Sequence, residues 1–362
     1  MGKELESALK KMKEKYGETS VFRADEKIMA NVETISSGSL ALDAALLVGG
    51  YPKGRLIEVS GPEASGKSFL CLMAIKKAQE AGMICAYIDS EHTFDPNWAK
   101  RLGIKVNDSL LITKPEFFED ALNQILLFAK TGEVGLIVWD SVASSPTKAE
   151  SEKEVGEATI GVQAKILTAA LRQLVPLLHQ KGTTCLFINQ LRDKIGVMFG
   201  ATETTPCGRC LKHTASVRIG VGKVGSSEIK DSLDRVIGHR IRAKVKKNKV
   251  STAQGISVEF LVKYTEGIDK VDEILSVGLQ CGVIQRPNNK TYIVGSEKLT
   301  GKDKVAEYLE TNPKAVKELE SQIIAAMREG VKTAPPADEK GDDIDDSNEI
   351  IGKDEEFLKL GE

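Results

Sequence analysis

One octapeptide restricts the fold of this 362-residue chain more than any other segment. Gly61, Pro62, Glu63, Ala64, Ser65, Gly66, Lys67 and Ser68 fit the pattern G-x-x-x-x-G-K-[ST]. They lie between an apolar run, Leu56–Ser60, and a helical pattern, Lys67–Ala81. A strand that turns through glycines into a helix aims several backbone N–H groups at one point, with the positive end of the helix dipole behind them. That arrangement cradles the phosphates of a nucleoside triphosphate. Lys67 supplies a point charge for the β- and γ-phosphates, and the Ser68 hydroxyl supplies a ligand for Mg2+.

The pattern around it agrees. Strand candidates are Leu56–Ser60, Ile84–Asp89, Leu110–Ile112, Gly135–Asp140, Thr183–Ile188, Ala215–Val221, His239–Val245 and Ile256–Val262. Helical spacing marks Lys67–Ala81, Phe117–Lys130 and Val162–Lys181. Strands alternating with helices predict an α/β fold with a mainly parallel central sheet covered on both faces. The run Leu136-Ile-Val-Trp-Asp140 puts a carboxylate at the C-terminal edge of a buried strand, where open α/β sheets bind ligands. Asp140 is therefore a second Mg2+ candidate, acting through water. Glu91 follows another core strand on the same edge and is a candidate to position or deprotonate an attacking water. A solvated loop carboxylate accounts for its spacing too.

Charge distribution says more than the net of −2. Residues 337–362 carry eleven acids against three lysines, a net of −8, which leaves +6 for the rest. A basic body with an acidic tail suggests a nucleic-acid partner and an interaction tail. No apolar run reaches the length of a membrane span, and the charged helical segment Lys3–Tyr16 lacks the apolar core of a secretory signal, so a cytoplasmic protein with no membrane partner is expected. The six cysteines read as reduced thiols. The expected organisation is an N-terminal arm (1–31), a core (32–266), a small C-terminal domain (267–330) with helical spacing at Val305–Leu309 and Ala315–Met327, and a disordered acidic tail (331–362).

The motifs, in their order, resemble the RecA family of bacterial and phage recombinases. Glu33–Leu40, Gly61–Ser68, Ala86–Pro96, Trp139–Ala143, Phe187–Arg192 with Lys194–Gly200, and Lys246–Lys249 carry the resemblance, which covers roughly residues 1–330. It implies a RecA-type P-loop NTPase core with a small N-terminal helical arm and a small C-terminal α/β domain. It implies ATP and Mg2+ as cofactors and DNA-stimulated hydrolysis. It further implies a homo-oligomeric helical filament on single-stranded DNA, homologous pairing with duplex DNA and strand exchange, with single-strand-binding and loader proteins as further partners. By the same resemblance Glu91 is the catalytic glutamate, Gln190 senses the γ-phosphate, Asp95 and Trp98 hold the adenine, and Lys247 and Lys249 reach the ATP of the neighbouring subunit.

Two segments match the family's DNA-binding loops, about 152–163 and 193–209. The second is rich in Gly and Thr and poor in core residues, the composition of a functional loop. Lys165, Thr168, Arg172, Arg192, Lys194 and Arg209 are candidates for phosphate contacts, as is the backbone amide near Gly208, and such contacts carry no base code. Ile160, Ile195, Val197 and Met198 are candidate wedges between bases. Lys290, Lys298, Lys302 and Lys304 are candidates for gathering duplex DNA, although a solvated surface explains them equally well. Two alternatives share the core motifs: a ring-forming DNA motor, and a filament scaffold that promotes repressor self-cleavage. Cys207-Gly-Arg-Cys210, with His213, departs from the family's second loop. It suits zinc, a redox pair or two tolerated thiols.

Overall fold

The computed structural model describes residues 3–17, 21, 32–142, 144–153, 161–193, 203–204, 207, 209–225 and 227–333. It divides into residues 1–33 and residues 34 onward. The first unit contains helix α1 (Lys3–Tyr16), with Glu4 and Glu6 in its first turn and Lys13 and Lys15 in its last. That charge order suits the helix dipole. None of its residues is buried.

In the second unit the main elements run α2 (Leu40–Ala45), β1 (Leu56–Gly61), α3 (Lys67–Glu80), β2 (Ile84–Asp89), α4 (Pro96–Arg101), β3 (Leu110–Thr113), α5 (Phe118–Thr131) and β4 (Val134–Asp140). They continue with α6 (Val162–Lys181), β5 (Thr184–Gln190), α7 (Cys210–Thr214), β6 (Val217–Lys223), β7 (Val236–Asn248), β8 (Ser257–Lys263) and β9 (Gly267–Ile268). The central sheet has the order β9-β8-β7-β6-β1-β5-β4-β2-β3, with Ile229–Lys230 pairing on β7 as a tenth strand. Each of the eight strand candidates overlaps one of its strands. From β6 across to β3 all neighbours are parallel; β6–β7, β7–β8 and β8–β9 are antiparallel. The change of direction has a simple cause. Parallel neighbours need a crossover segment, usually a helix, and among the described residues no helix stands between β6 and β9.

Successive strand residues point to opposite faces, so each strand feeds two cores. Leu136 and Val138 join α2 and α3 on one face; Ile137 and Trp139 join α5 and α6 on the other. Trp139, fully buried, packs at 5.4 Å from the Phe118 ring and edge-on at 5.0 Å from Phe187.

For the segment after β9 spacing alone predicts helices at Val305–Leu309 and Ala315–Met327, and the resemblance implies a small α/β domain. It contains α8 (Lys270–Gln280), a three-stranded antiparallel sheet of β10 (Ile284–Asn288), β11 (Thr291–Val294) and β12 (Glu297–Thr300), then α9 (Lys302–Thr311) and α10 (Pro313–Thr333). The strands escaped because β10 and β12 are mostly exposed and polar, without clear alternation. Apolar residues of α8, α9 and α10 continue the α2–α3 core. At the α2–α8 seam the Glu273 carboxylate accepts from the Ser39 hydroxyl and the Ala41 amide, and Asp43 accepts from the Ser36 hydroxyl and the Ser37 amide. Burial pushes Glu273 up to about 7 and Asp43 up to about 6, against the pull of those donors.

Candidate functional site

The carboxyl ends of β1, β5, β4 and β2 share one edge of the sheet. Register aligns Gly61 with Gln190 and Asp89 with Asp140. The loop after β1 bends through Ala64 (φ 54°) and Gly66 (φ 94°). Gly61 is required by space, and Gly66 by its left-handed backbone. A Cβ on Gly61 would fall 2.1 Å from the Val221 carbonyl oxygen, and one on Gly66 2.4 Å from Ile241 Cδ1. Gly66 is the N-cap of α3 and offers no side-chain acceptor to the first-turn amides. Those donors are thus left for an external anion, as a phosphate requires. Ser65 Oγ is buried without a hydrogen-bond partner. The loop and these unmatched donors fit a nucleotide phosphate chain.

Lys67 is buried, donates to the Pro62 carbonyl and faces Asp140, Glu91 and Glu63. Burial lowers its pKa and the acids oppose that shift. Asp140 lies under the loop, where Oδ2 accepts from the Tyr87 hydroxyl at 2.6 Å and the carboxylate is hydrogen-bonded to Ser68. Burial raises its pKa; the Ser68 and Tyr87 bonds pull it back. A serine hydroxyl beside a carboxylate is an all-oxygen donor set suited to Mg2+.

Glu91 is oriented by three donors on one oxygen. Oε1 accepts from Ser141 Oγ at 2.6 Å, Gln190 Nε2 at 3.1 Å and Ser144 Oγ at 3.3 Å. The chain enters this position through a fixed turn. The Asp89 carboxylate accepts from the Thr93 and Phe94 amides, His92 adopts φ 56°, and Trp139 Nε1 holds the Ser90 hydroxyl at 2.9 Å. The hydrolytic candidate and the sensor candidate are therefore in direct contact. Sequence reasoning assigned no role to Tyr87, Ser141 or Ser144. Tyr87 and Ser141 lie inside quoted motifs, and Ser144 falls one residue beyond Trp139–Ala143.

Asp95 caps α4 by accepting from the Asn97 amide, and Trp98 Nε1 donates to the Tyr264 carbonyl at 2.9 Å. Trp98 borders a cavity of about 230 Å³ that extends from Ala64–Phe69 to His239, Ile241, Val262 and Tyr264.

Lys247 and Lys249 lie elsewhere. Lys247 pairs with Arg218, which pairs with Glu58, three residues before Gly61 and so about 10 Å back along the sheet. Lys247 Nζ donates to the Lys212 and His213 carbonyls, and Lys249 Nζ to His213, at the carbonyl end of α7. Burial and the neighbouring Lys249 bring Lys247 down to about 8. Beside them Glu58, fully buried, accepts from Arg218 Nε and from Asn189 Nδ2.

Of the DNA-contact candidates, Lys165 and Arg172 are exposed on α6, two turns apart, and Arg209 is exposed before α7. Thr168 Oγ1 donates to the Ala164 carbonyl, and its side chain is hydrogen-bonded to Cys210. Arg192–Asp193 pairs antiparallel with Glu203–Thr204, closing the base of the second loop. Ile160, Lys194, Ile195, Val197, Met198 and Gly208 lie outside the described residues, as does the acidic tail from residue 334. Cys207 and Cys210 are free and half-buried; Cys207 Sγ meets Gln163 Oε1 at 3.6 Å and burial pushes its thiol up to about 12. Among the described residues no three His, Cys, Asp or Glu side chains group as a metal site, so zinc gains no support there. None of the described helices is long and apolar enough to cross a membrane.

Fold and edge together define a P-loop nucleotide-binding α/β protein. The RecA N-terminal domain profile matches residues 3–269. The chain is 42% identical over 328 residues to Protein RecA of Corynebacterium pseudotuberculosis (strain C231), covering 91% of this chain and 88% of that one. It is 40% identical over 338 residues to Protein RecA of Cytophaga hutchinsonii, covering 93% and 94%. This chain belongs to the RecA family, the DNA-dependent ATPases of homologous recombination.

Proposed function

We propose that the protein binds ATP with Mg2+ at the strand edge, assembles into a filament on single-stranded DNA and exchanges that strand with a homologous duplex. The observation that carries this reading is the convergence of Lys67, Asp140 and the Glu91–Gln190 contact at one edge, with Lys247 and Lys249 at the other. The backbone of residues 61–68 and Lys67 hold the phosphates; Ser68 and, through water, Asp140 hold the ion. Mg2+ supplies charge neutralisation for the phosphoryl oxygens. Ser141, Ser144 and Gln190 keep Glu91 turned so that it can take a proton from water.

Lys247 and Lys249 cannot serve this edge in their own subunit. At the far edge they suit the nucleotide of an adjoining copy, which would complete each site and tie filament assembly to nucleotide. Gln190 is adjacent to Glu91 on one side and leads into the second loop on the other, so loss of the γ-phosphate can reach DNA. Lys165, Arg172 and Arg209 present exposed cations for a phosphate backbone. Single-strand-binding and loader proteins are proposed as further partners from the family resemblance alone.

Joint-molecule formation between a labelled single strand and a homologous supercoiled duplex, with ATP and Mg2+, tests the reading. Homology-dependent product that disappears in Lys67→Ala supports it. DNA-stimulated hydrolysis without product would favour a motor instead.

A further inference from the structure

The aromatic end of the nucleotide cavity holds a polar group that no motif accounts for. His239 is 6% exposed, and its Nε2 is buried without a hydrogen-bond partner. The other ring nitrogen, Nδ1, is 3.1 Å from the Tyr264 hydroxyl, with the two rings 5.5 Å apart. A buried polar atom left unmatched is costly, and His239 lines the cavity that begins at the phosphate loop.

Position on the strand explains which part of a nucleotide it would meet. Ile241 abuts Gly66, where the phosphate loop joins α3. His239 is on the same face of β7, two residues away, about 6–7 Å further from the phosphates. There it stands with Tyr264 and with Trp98, whose indole is held by its bond to the Tyr264 carbonyl. From loop to aromatics, the lining follows the order of a nucleotide from phosphate to base.

We propose that His239 reads the base of the bound nucleotide through Nε2, and that the Tyr264 hydroxyl selects the tautomer. Burial lowers the imidazole pKa, with Lys223 adding to the shift and Glu228 opposing it, so the ring is neutral near pH 7. A neutral ring has one donor and one acceptor nitrogen. When Tyr264 donates to Nδ1, Nε2–H donates to a purine ring nitrogen; when Tyr264 accepts, Nε2 accepts from an exocyclic amine. The ligand class is a purine nucleotide, whose ring nitrogens and exocyclic group offer Nε2 an acceptor or a donor. The inference rests on the nucleotide site proposed above.

Affinities for ATP, UTP and inorganic tripolyphosphate, by calorimetry and by Trp98 fluorescence, test it on the full-length protein. His239→Phe keeps the ring and removes both nitrogens. It is expected to weaken ATP about tenfold, the loss of one buried hydrogen bond, with tripolyphosphate unchanged. His239→Gln, which keeps a polar atom near Nε2, should hold ATP within about threefold of wild type. Equal ATP affinity in wild type and His239→Phe overturns the inference, as does a parallel loss of ATP and tripolyphosphate. UTP bound as tightly as ATP by the wild type also overturns it. A wild type that binds neither ATP nor tripolyphosphate overturns the nucleotide site itself, which separates the two failures.

Discussion

Asp140 at the strand edge and Glu273 at the α2–α8 seam are both buried carboxylates, and burial raises the pKa of each. Both accept from side-chain hydroxyls: Tyr87 and Ser68 for Asp140, Ser39 for Glu273. They differ in what lies beyond those donors. Asp140 faces Lys67 and Glu91 across a loop with unmatched helix amides. Glu273 has a backbone amide and another raised acid, Asp43, nearby, and apolar packing around it. Burial of an acid therefore does not mark a site. Companion charges and unfilled donors at the C-terminal edge of parallel strands do. Glu58 is a third case, buried on the sheet interior and neutralised by Arg218.

The largest effect is expected at the edge. Glu91→Gln should lower ATP hydrolysis by about 10²–10⁴, the usual range for a lost general base, with nucleotide affinity nearly intact. Hydrolysis near the wild-type level would remove Glu91 from the chemistry and with it the sharpest difference between edge and seam. Arg218→Ala leaves the buried Glu58 with the Asn189 amide but no opposite charge, and should destabilise the fold by about 3–5 kcal/mol in urea denaturation. A smaller loss, under about 1 kcal/mol, would place that pair with ordinary surface bridges.

At the seam the effect depends on pH. Glu273 titrates near 7 when folded, against an ordinary 4.5. Between those values the folded state holds a proton that the unfolded state has released, so stability falls as pH rises through this window. Above about 7 the loss is complete, roughly 3 kcal/mol at 1.36 kcal/mol per unit. Glu273→Gln keeps an acceptor for Ser39 and Ala41 and removes the titration. Its melting temperature should change less between pH 5 and 7.5 than that of wild type, with a residual slope from Asp43. An unaltered slope would mean that Glu273 ionises normally. The smallest effect is expected for Ser141→Ala, which removes one of three donors to Glu91. A fall in kcat of about fivefold to tenfold with unchanged KM is the signature of a positioning role. A change in KM alone would contradict it.

Much of this is legible in the sequence. Gly61–Ser68 with its flanking strand and helix, Asp140 at a strand end and Glu91 past another were all readable from spacing, because each is a local pattern of strand, turn and helix. The C-terminal sheet was not, since its strands are short, exposed and weakly alternating. Nor was the His239–Tyr264 pair, which shares no motif with the phosphate loop. The roles of Gln190, Lys247 and Lys249 came only from resemblance; register then separated them, Gln190 beside Gly61 and the lysines at the opposite edge.

By itself, the sequence determined which segments of the central sheet and its covering helices would be strands and helices, because hydrogen bonding within an element and burial of its apolar face depend on near neighbours. Only the tertiary structure decided strand order, and strand order makes the site. Glu91 and Gln190 are 99 residues apart in the chain, and Asn189 and Glu58 131 apart. Their contacts arise from pairing and packing across the whole sheet, which leave no periodic trace in the residues between them.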